Sequence, residues 1–284
     1  MSESSPSSRA RELGVEMRRL RERVKMTSAN AAKEIGISAS KLSRLENGLR
    51  GAKVDDVDAL LNVYGAEESR RQELLDLART SAPNGWPHRF KSRLPRELRS
   101  RINHENDAVG FRGFETVVVP DLLQTGEYAR AVLRDSVTLA QREVEERVAI
   151  RLARQAILSR DRPPMLTVVV TELVLRTAMG GPIVMAGQLR YLLERVSRPC
   201  VEVRVLPMAS GSHAGTSGPF MIMDFAKVTP IVHVQNELAH HSLAELAEVS
   251  AYDRIYSRLL ARSLDPDQSA HFISKLANDF ARAA

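Results

Sequence analysis

Within the run ASKLSRLENG, residues 39–48, a helical period places Leu42 and Leu45 on one side and leaves Ser40, Lys41, Ser43, Arg44 and Asn47 on the other. The outward set is rich in hydrogen-bond donors and cations, chemistry that suits a partner rich in acceptors and negative charge. The forked guanidinium of an arginine can bond O6 and N7 of one guanine together, a contact worth about 1–3 kcal/mol of discrimination between bases. A lysine is a point charge and fits a phosphate better.

A second group of polar side chains stands in GSHAGTSGP, Gly211 to Pro219, where three glycines accompany Ser212, His213 and Thr216. Glycines there let backbone amides approach an anion or a small ligand, although the lysine that completes a P-loop is missing, and the alternative is a mobile or tightly turned connection between strands. A third candidate surface lies around Pro120, Leu122, Leu123, Gln124 and Tyr128, where a strand gives way to a helix, although leucines at such a junction more often bury into the core. Gln124 and Tyr128 would supply its polar contacts, and Gln124 and Thr125 can cap that helix. Arg176, just ahead of Met179, Gly180 and Gly181, either meets an acidic partner or is an exposed strand end. Catalysis is not expected. His213 beside Ser212 makes no nucleophile and base pair, because sequence neighbours rarely point at one another, and no nucleophile elbow occurs. His240 and His241 are adjacent and cannot easily reach one metal together, His233 falls in a predicted strand, and Cys200 has no second thiol. The expectation is no metal and no cofactor.

The elements that must position these residues follow from local signals. After a Ser/Pro-rich start, residues 1–7, expected to be disordered, Leu13, Met17, Leu20 and Val24 recur at helical spacing. Thr27 or Ser28 can cap a short second helix through Ala31, Ala32 and Ile35, and Gly36 supplies the tight turn after it. Ser38 caps the third helix and Gly48 ends it at a left-handed position. Two more helices are predicted, from about Val54 to Val63 and from about Glu67 to Thr80. Together these make an all-α, five-helix domain over residues 8–81. The short helix, glycine turn and second helix form a helix-turn-helix, whose geometry projects the second helix into a DNA major groove.

Residues 82–101 read as a basic connector, with three prolines from Pro83 to Pro95 and the single tryptophan. Beyond it GFETVVVP, LTVVVTE, VEVRVLP, FMIMDF and PIVHVQ are five predicted strands. Helical patterns lie between and after them, at about Thr125 to Arg134, Arg142 to Ser159, Ile183 to Arg195, Leu243 to Ser263 and Asp267 to Ala281. The spacing is too irregular for strict βαβ alternation or a repeat, so an α+β effector domain is predicted over residues 102–284. Hydrophobic residues at 43% and charged residues at 27% support packed cores and exclude general disorder. The net charge of +6 is unevenly spread: residues 1–53 hold 12 Lys/Arg against 6 Asp/Glu, and residues 83–101 hold 6 against 1. That asymmetry suggests a polyanion partner for the N-terminal half, although a charge run is by default a solvated face. With no apolar run of membrane-spanning length and no secretory signal core, a cytoplasmic, nucleoid-associated protein with no membrane partner is expected.

The run TSANAAKEIGISASKLSRLENG resembles the Xre or Cro-repressor type of helix-turn-helix, with frame residues at Ala32, Gly36, Ser38, Leu42, Ser43, Leu45, Glu46 and Gly48. The resemblance implies that Ala39, Ser40 and Arg44 face the bases, and that Ser28, Lys41, Asn47, Arg50 and Lys53 serve the DNA backbone. Two positions where family members often carry glutamine are Ser28 and Ala39 here, so readout leans on Arg44 and Ser40. FETVVVPDLLQTGEYARAVL, RLARQAILSRDRPP, LRTAMGGP and GSHAGTSGPFMIMDF resemble the uncharacterised domain that follows an Xre-type module in actinobacterial regulators, the WhiJ-like proteins of Streptomyces among them. That resemblance implies a transcription regulator of development or secondary metabolism. Its expected partners are double-stranded DNA and a second copy of itself as a homodimer, with a small effector molecule or a small partner protein encoded nearby. The alternative is the protein-binding module of a toxin-antitoxin-like pair with little DNA specificity.

Overall fold

Two hydroxyls start the helices that matter most. Thr27 and Ser38 are both extended, and each turns its side chain onto the next helix: Thr27 Oγ1 accepts from the Asn30 amide at 3.2 Å and Ser38 Oγ from the Lys41 amide at 3.1 Å. These bonds satisfy amides that a helix N-terminus leaves without partners. The computed structural model describes residues 8–48, 53–80, 96–137, 139–235 and 240–284. The expected disordered tail, residues 1–7, and positions 82–95 of the expected connector lie outside the described residues.

Contacts divide the chain into two compact units, Met1–Asp107 with Phe225–Val228, and Ala108–Asp224 with Thr229–Ala284. The first holds α1 (Ser8–Arg23), α2 (Ser28–Glu34), α3 (Ala39–Glu46), α4 (Val54–Val63), α5 (Glu68–Thr80) and α6 (Arg96–Asp107). Gly36 between α2 and α3 has φ +67° and Gly48 after α3 has φ +68°, conformations in which a side chain is strained. Leu13, Met17 and Leu20 of α1 close over Ala31, Ala32, Leu42, Leu45, Leu60 and Leu61 in one core. Val24 departs from the expected apolar stripe: α1 ends at Arg23, the stripe's period ends with it, and Val24 is 39% exposed. The helix α6 is a further difference, since residues 96–101 of the expected connector are helical. Its few apolar positions hide it from a periodicity search, yet Ile102 is buried and α6 packs on α1.

The second unit contains β1 (Gly110–Glu115), α7 (Gly126–Arg134), α8 (Val144–Arg154), β2 (Met165–Thr171), α9 (Glu172–Arg176), α10 (Pro182–Val196) and β3 (Val201–Leu206). After these come β4 (Phe220–Asp224), β5 (Ile231–Gln235), β6 (His240–Leu243), α11 (Leu246–Arg262) and α12 (Pro266–Arg282). One mixed sheet runs in the order β3-β2-β1-β4-β5-β6, with β1, β2 and β3 parallel and β4, β5 and β6 antiparallel. On one face Phe114, Val169, Leu206, Phe220, Ile222 and Val232 pack under Val249, Tyr256 and Leu259 of α11. The outer edge of β3 is capped at Val205, whose carbonyl accepts from the Leu264 amide at 2.8 Å and whose amide donates to Ser269 Oγ at 3.0 Å. Covering an edge in this way removes a template for strand addition.

Three readings of this region change. The strand expected through GFETVVVP runs instead from Gly110 to Glu115, because Phe111 and Phe114 bury on opposite faces of a central strand and the apolar VVV run belongs to the connection after it. His240 and His241 lie in a sixth strand rather than a turn, paired across to Gln235 and Val234. The Arg142 to Ser159 pattern divides into α8 between two tight 3-10 turns, 141–143 and 155–159.

Candidate nucleic-acid interface

The third helix is held by its inner face. Leu42 and Leu45 are buried, and so is Glu46, which lies four residues beyond Leu42 and therefore on the same stripe. Its carboxylate takes both arms of the Arg21 guanidinium, Nε at 2.6 Å and Nη2 at 2.9 Å, while Arg21 Nη1 donates to the Met26 carbonyl at 2.8 Å. One arginine thus ties α3 to the end of α1. The hydrogen bond to Glu46 is the main reason that the guanidinium is held above its ordinary pKa. Gly14 permits the close approach, since a Cβ there would stand 2.3 Å from the Glu46 carbonyl oxygen.

With that face fixed, Ala39, Ser40, Ser43 and Asn47 are exposed on the other, and Arg44 and Lys41 are half-buried. Arg44 Nε donates to the Ser40 carbonyl at 3.2 Å, which leaves both terminal nitrogens for a ligand, and it has no carboxylate partner among the described residues. Asn47 Nδ2 turns back to the Ser43 carbonyl at 2.9 Å and closes the end of α3. Ser28 is the first residue of α2 and half-buried, and Lys53 is exposed just before α4. Arg50 lies outside the described residues.

Lys41 is not a free cation. Its Nζ stands 2.7 Å from Asp56 Oδ2 on α4. A DNA phosphate would have to displace that carboxylate, so Asp56 reduces the attraction the helix exerts on any duplex. Asp56→Asn is expected to tighten binding to unrelated DNA several-fold and to steepen the fall of log affinity with log salt by about one phosphate contact. Anisotropy titrations at several salt concentrations check this, and an unchanged slope counts against a phosphate role for Lys41.

The candidates in the second unit are distributed rather than gathered. Gln124 and Tyr128 do not wall a pocket: both are wholly buried, and their polar atoms serve the fold. Gln124 donates to the Val119 carbonyl at 2.6 Å and accepts from Arg151 Nη1 at 2.8 Å, while Tyr128 Oη accepts from the Val119 amide at 3.1 Å. Burial pushes the Tyr128 phenol up to about 12. The cap of α7 is Thr125, whose Oγ1 accepts from the Tyr128 amide at 3.2 Å; Gln124 precedes it and takes no part. Arg176 belongs to α9, where its Nε meets Glu172 Oε1 at 2.5 Å and its guanidinium stacks 5.6 Å over the Phe272 ring. His213 sits edge-on to Phe114 at 5.6 Å, with its Nδ1 accepting from the Gly215 amide at 3.2 Å. Gly215 is needed there, because a Cβ would fall 2.2 Å from the Phe114 ring. Ser212 and Thr216 are exposed on this loop, and the Ser212 carbonyl accepts from Arg262 Nη1 at 2.5 Å.

Sequence reasoning missed the Arg21–Glu46 pair and the Asp56 carboxylate. For Glu46 a signal existed, its place on the Leu42 stripe. The partners lie on other helices, which only the fold brings near. Among the described residues no helix is long and apolar enough to cross a membrane.

Two family models match separate stretches of the chain. The model of a helix-turn-helix domain matches residues 12–74, and that of the domain of unknown function DUF5753 matches residues 98–275. No curated protein and no solved structure matches the chain. The helix-turn-helix match supports a DNA-binding regulator of the Xre-like kind.

Proposed function

The chain belongs to the family of the domain of unknown function DUF5753, and from that premise we propose that it is a sequence-specific transcription regulator whose C-terminal domain receives the signal. The observation that carries the DNA-reading half is the outward face of α3, where Arg44 offers both terminal nitrogens and no carboxylate competes for it among the described residues. Ala39 adds a methyl contact suited to thymine, Ser40 a hydroxyl, and Lys53 with Ser28 a path for the phosphates. One short helix reads only a few base pairs, so the working form is a homodimer on two half-sites one helical turn apart. Its role is regulation of development or secondary metabolism in an actinobacterium, as in the WhiJ-like proteins it resembles. This role needs no catalytic step.

Binding of the full chain to the DNA upstream of its own gene, against a scrambled fragment, tests this at about 50 and 200 mM salt. Preference for the native fragment, a steep fall with salt and uniform weakening in Lys53→Ala are expected. Equal, weak binding of both fragments would reject sequence-specific reading and turn attention to a toxin-antitoxin-like protein partner.

A further inference from the structure

The winding of the sheet reverses at β1. The chain proceeds from β1 through β2 to β3 on one side, then returns to lay β4 on the other. In open sheets ligands bind outside the carboxyl ends of the parallel strands, and β1, at the reversal, borders that place. Because β4 is antiparallel to β1, the loop leading into it, 207–219, stands at this same end.

The connections here are tied into one rim. Thr171 Oγ1 at the end of β2 donates to the Thr116 carbonyl just past β1 at 2.9 Å. Glu172, buried at the start of α9, accepts the Met208 amide just past β3 at 2.9 Å. Arg262 at the end of α11 donates to the carbonyls of Ser210 and Ser212. On this rim the residues following three adjacent strands are apolar and open to solvent: Val117 at 55%, Leu173 at 48% and Met208 at 58%. Three neighbouring strands span about 10 Å. Within one 3-10 turn of Met208 stands Arg262, exposed and with no carboxylate partner among the described residues.

We propose that this end of the sheet binds a small apolar organic anion, its body across Val117, Leu173 and Met208 and its acid group on Arg262. The inference rests on the signal-receiving role given to this domain and supplies its site and ligand class. A preformed rim favours it, since the hydrogen bonds above fix the connections before any ligand arrives and spare the cost of ordering them.

The test uses the full chain with 1-anilinonaphthalene-8-sulfonate as an apolar anion and the uncharged N-phenyl-1-naphthylamine as its comparison. Saturable fluorescence enhancement with one site per chain is expected, weakened at least tenfold by Leu173→Asp and by Met208→Asp. Val137→Asp, the same change at another exposed position, leaves it unaltered. Arg262→Gln is expected to weaken the sulfonate by a larger factor than the uncharged probe, which also loses some affinity because the ties to the Ser210 and Ser212 carbonyls go with the guanidinium. Enhancement that does not saturate, or equal binding by all variants, overturns the site. DNA anisotropy on the same preparations separates the two readings: DNA bound without the probe sinks this site alone, and the probe bound without DNA sinks the regulator alone.

Discussion

Arg44→Ala is expected to lower affinity for the native operator by roughly 5- to 150-fold, the equivalent of about 1–3 kcal/mol, while binding to unrelated DNA changes little. The expectation follows from where the guanidinium is held. Its Nε bond to the Ser40 carbonyl anchors it on the first turn of α3, the end of a recognition helix that meets base edges. The neighbouring Lys41 is occupied by Asp56 and contributes charge only after that pair opens. Arg44→Lys separates charge from geometry: a point charge keeps the phosphate attraction but loses the fork, so discrimination falls nearly as far as in the alanine variant. Competition binding against operators changed one base pair at a time reads this directly. Equal losses on every fragment, with no position losing its preference, would move Arg44 to the phosphate set.

The second large effect concerns stability. Glu46→Ala leaves the Arg21 guanidinium buried without its carboxylate, and removing one partner of a buried pair costs about 3–5 kcal/mol. Hydrogen exchange of the α1 and α3 amides in the full chain reports it within the first unit, through a loss of protection of that size. Loss of DNA binding accompanies it, since the inner face of α3 is then loose. The double variant Arg21→Met with Glu46→Leu is expected to regain much of the stability, as apolar residues of similar volume often replace buried ion pairs at little cost. Recovery stays incomplete because the Met26 carbonyl also loses the arginine. A single variant as stable as the parent would show that water reaches and solvates Arg21.

Much of the first unit is legible in the sequence because its determinants are local. A serine three residues ahead of an amide, a glycine at positive φ and leucines at spacings of three and four act within a turn or two of chain, so Ser38, Gly36 and the Leu42–Leu45 stripe are readable one residue at a time. The strands β2, β3, β4 and β5 are legible for the same reason, as short runs rich in β-branched residues and methionine. Reading fails where the partner is remote. Gln124 and Tyr128 look like a polar surface in sequence and lie wholly buried, because Val119 and Arg151 satisfy their polar atoms in the fold. Arg176 looks free and is paired, Lys41 likewise.

Local chemistry is enough to specify the helix-turn-helix frame, the donor-rich outward face of α3 and the presence of both strands and helices in the second part. These depend on period, capping and turn conformation, which are properties of adjacent residues. The tertiary structure alone decided which charges are used up. Arg21 meets Glu46 across 25 residues of chain, Lys41 meets Asp56 on another helix, and Arg112 meets Asp224 across 112 residues, at 2.7 Å. It also decided the strand order, hence which connections share one end of the sheet. Contacts of that kind are selected by the global packing, and a charged residue has the same local sequence signature whether its partner is water, a phosphate or a carboxylate brought up from elsewhere in the chain.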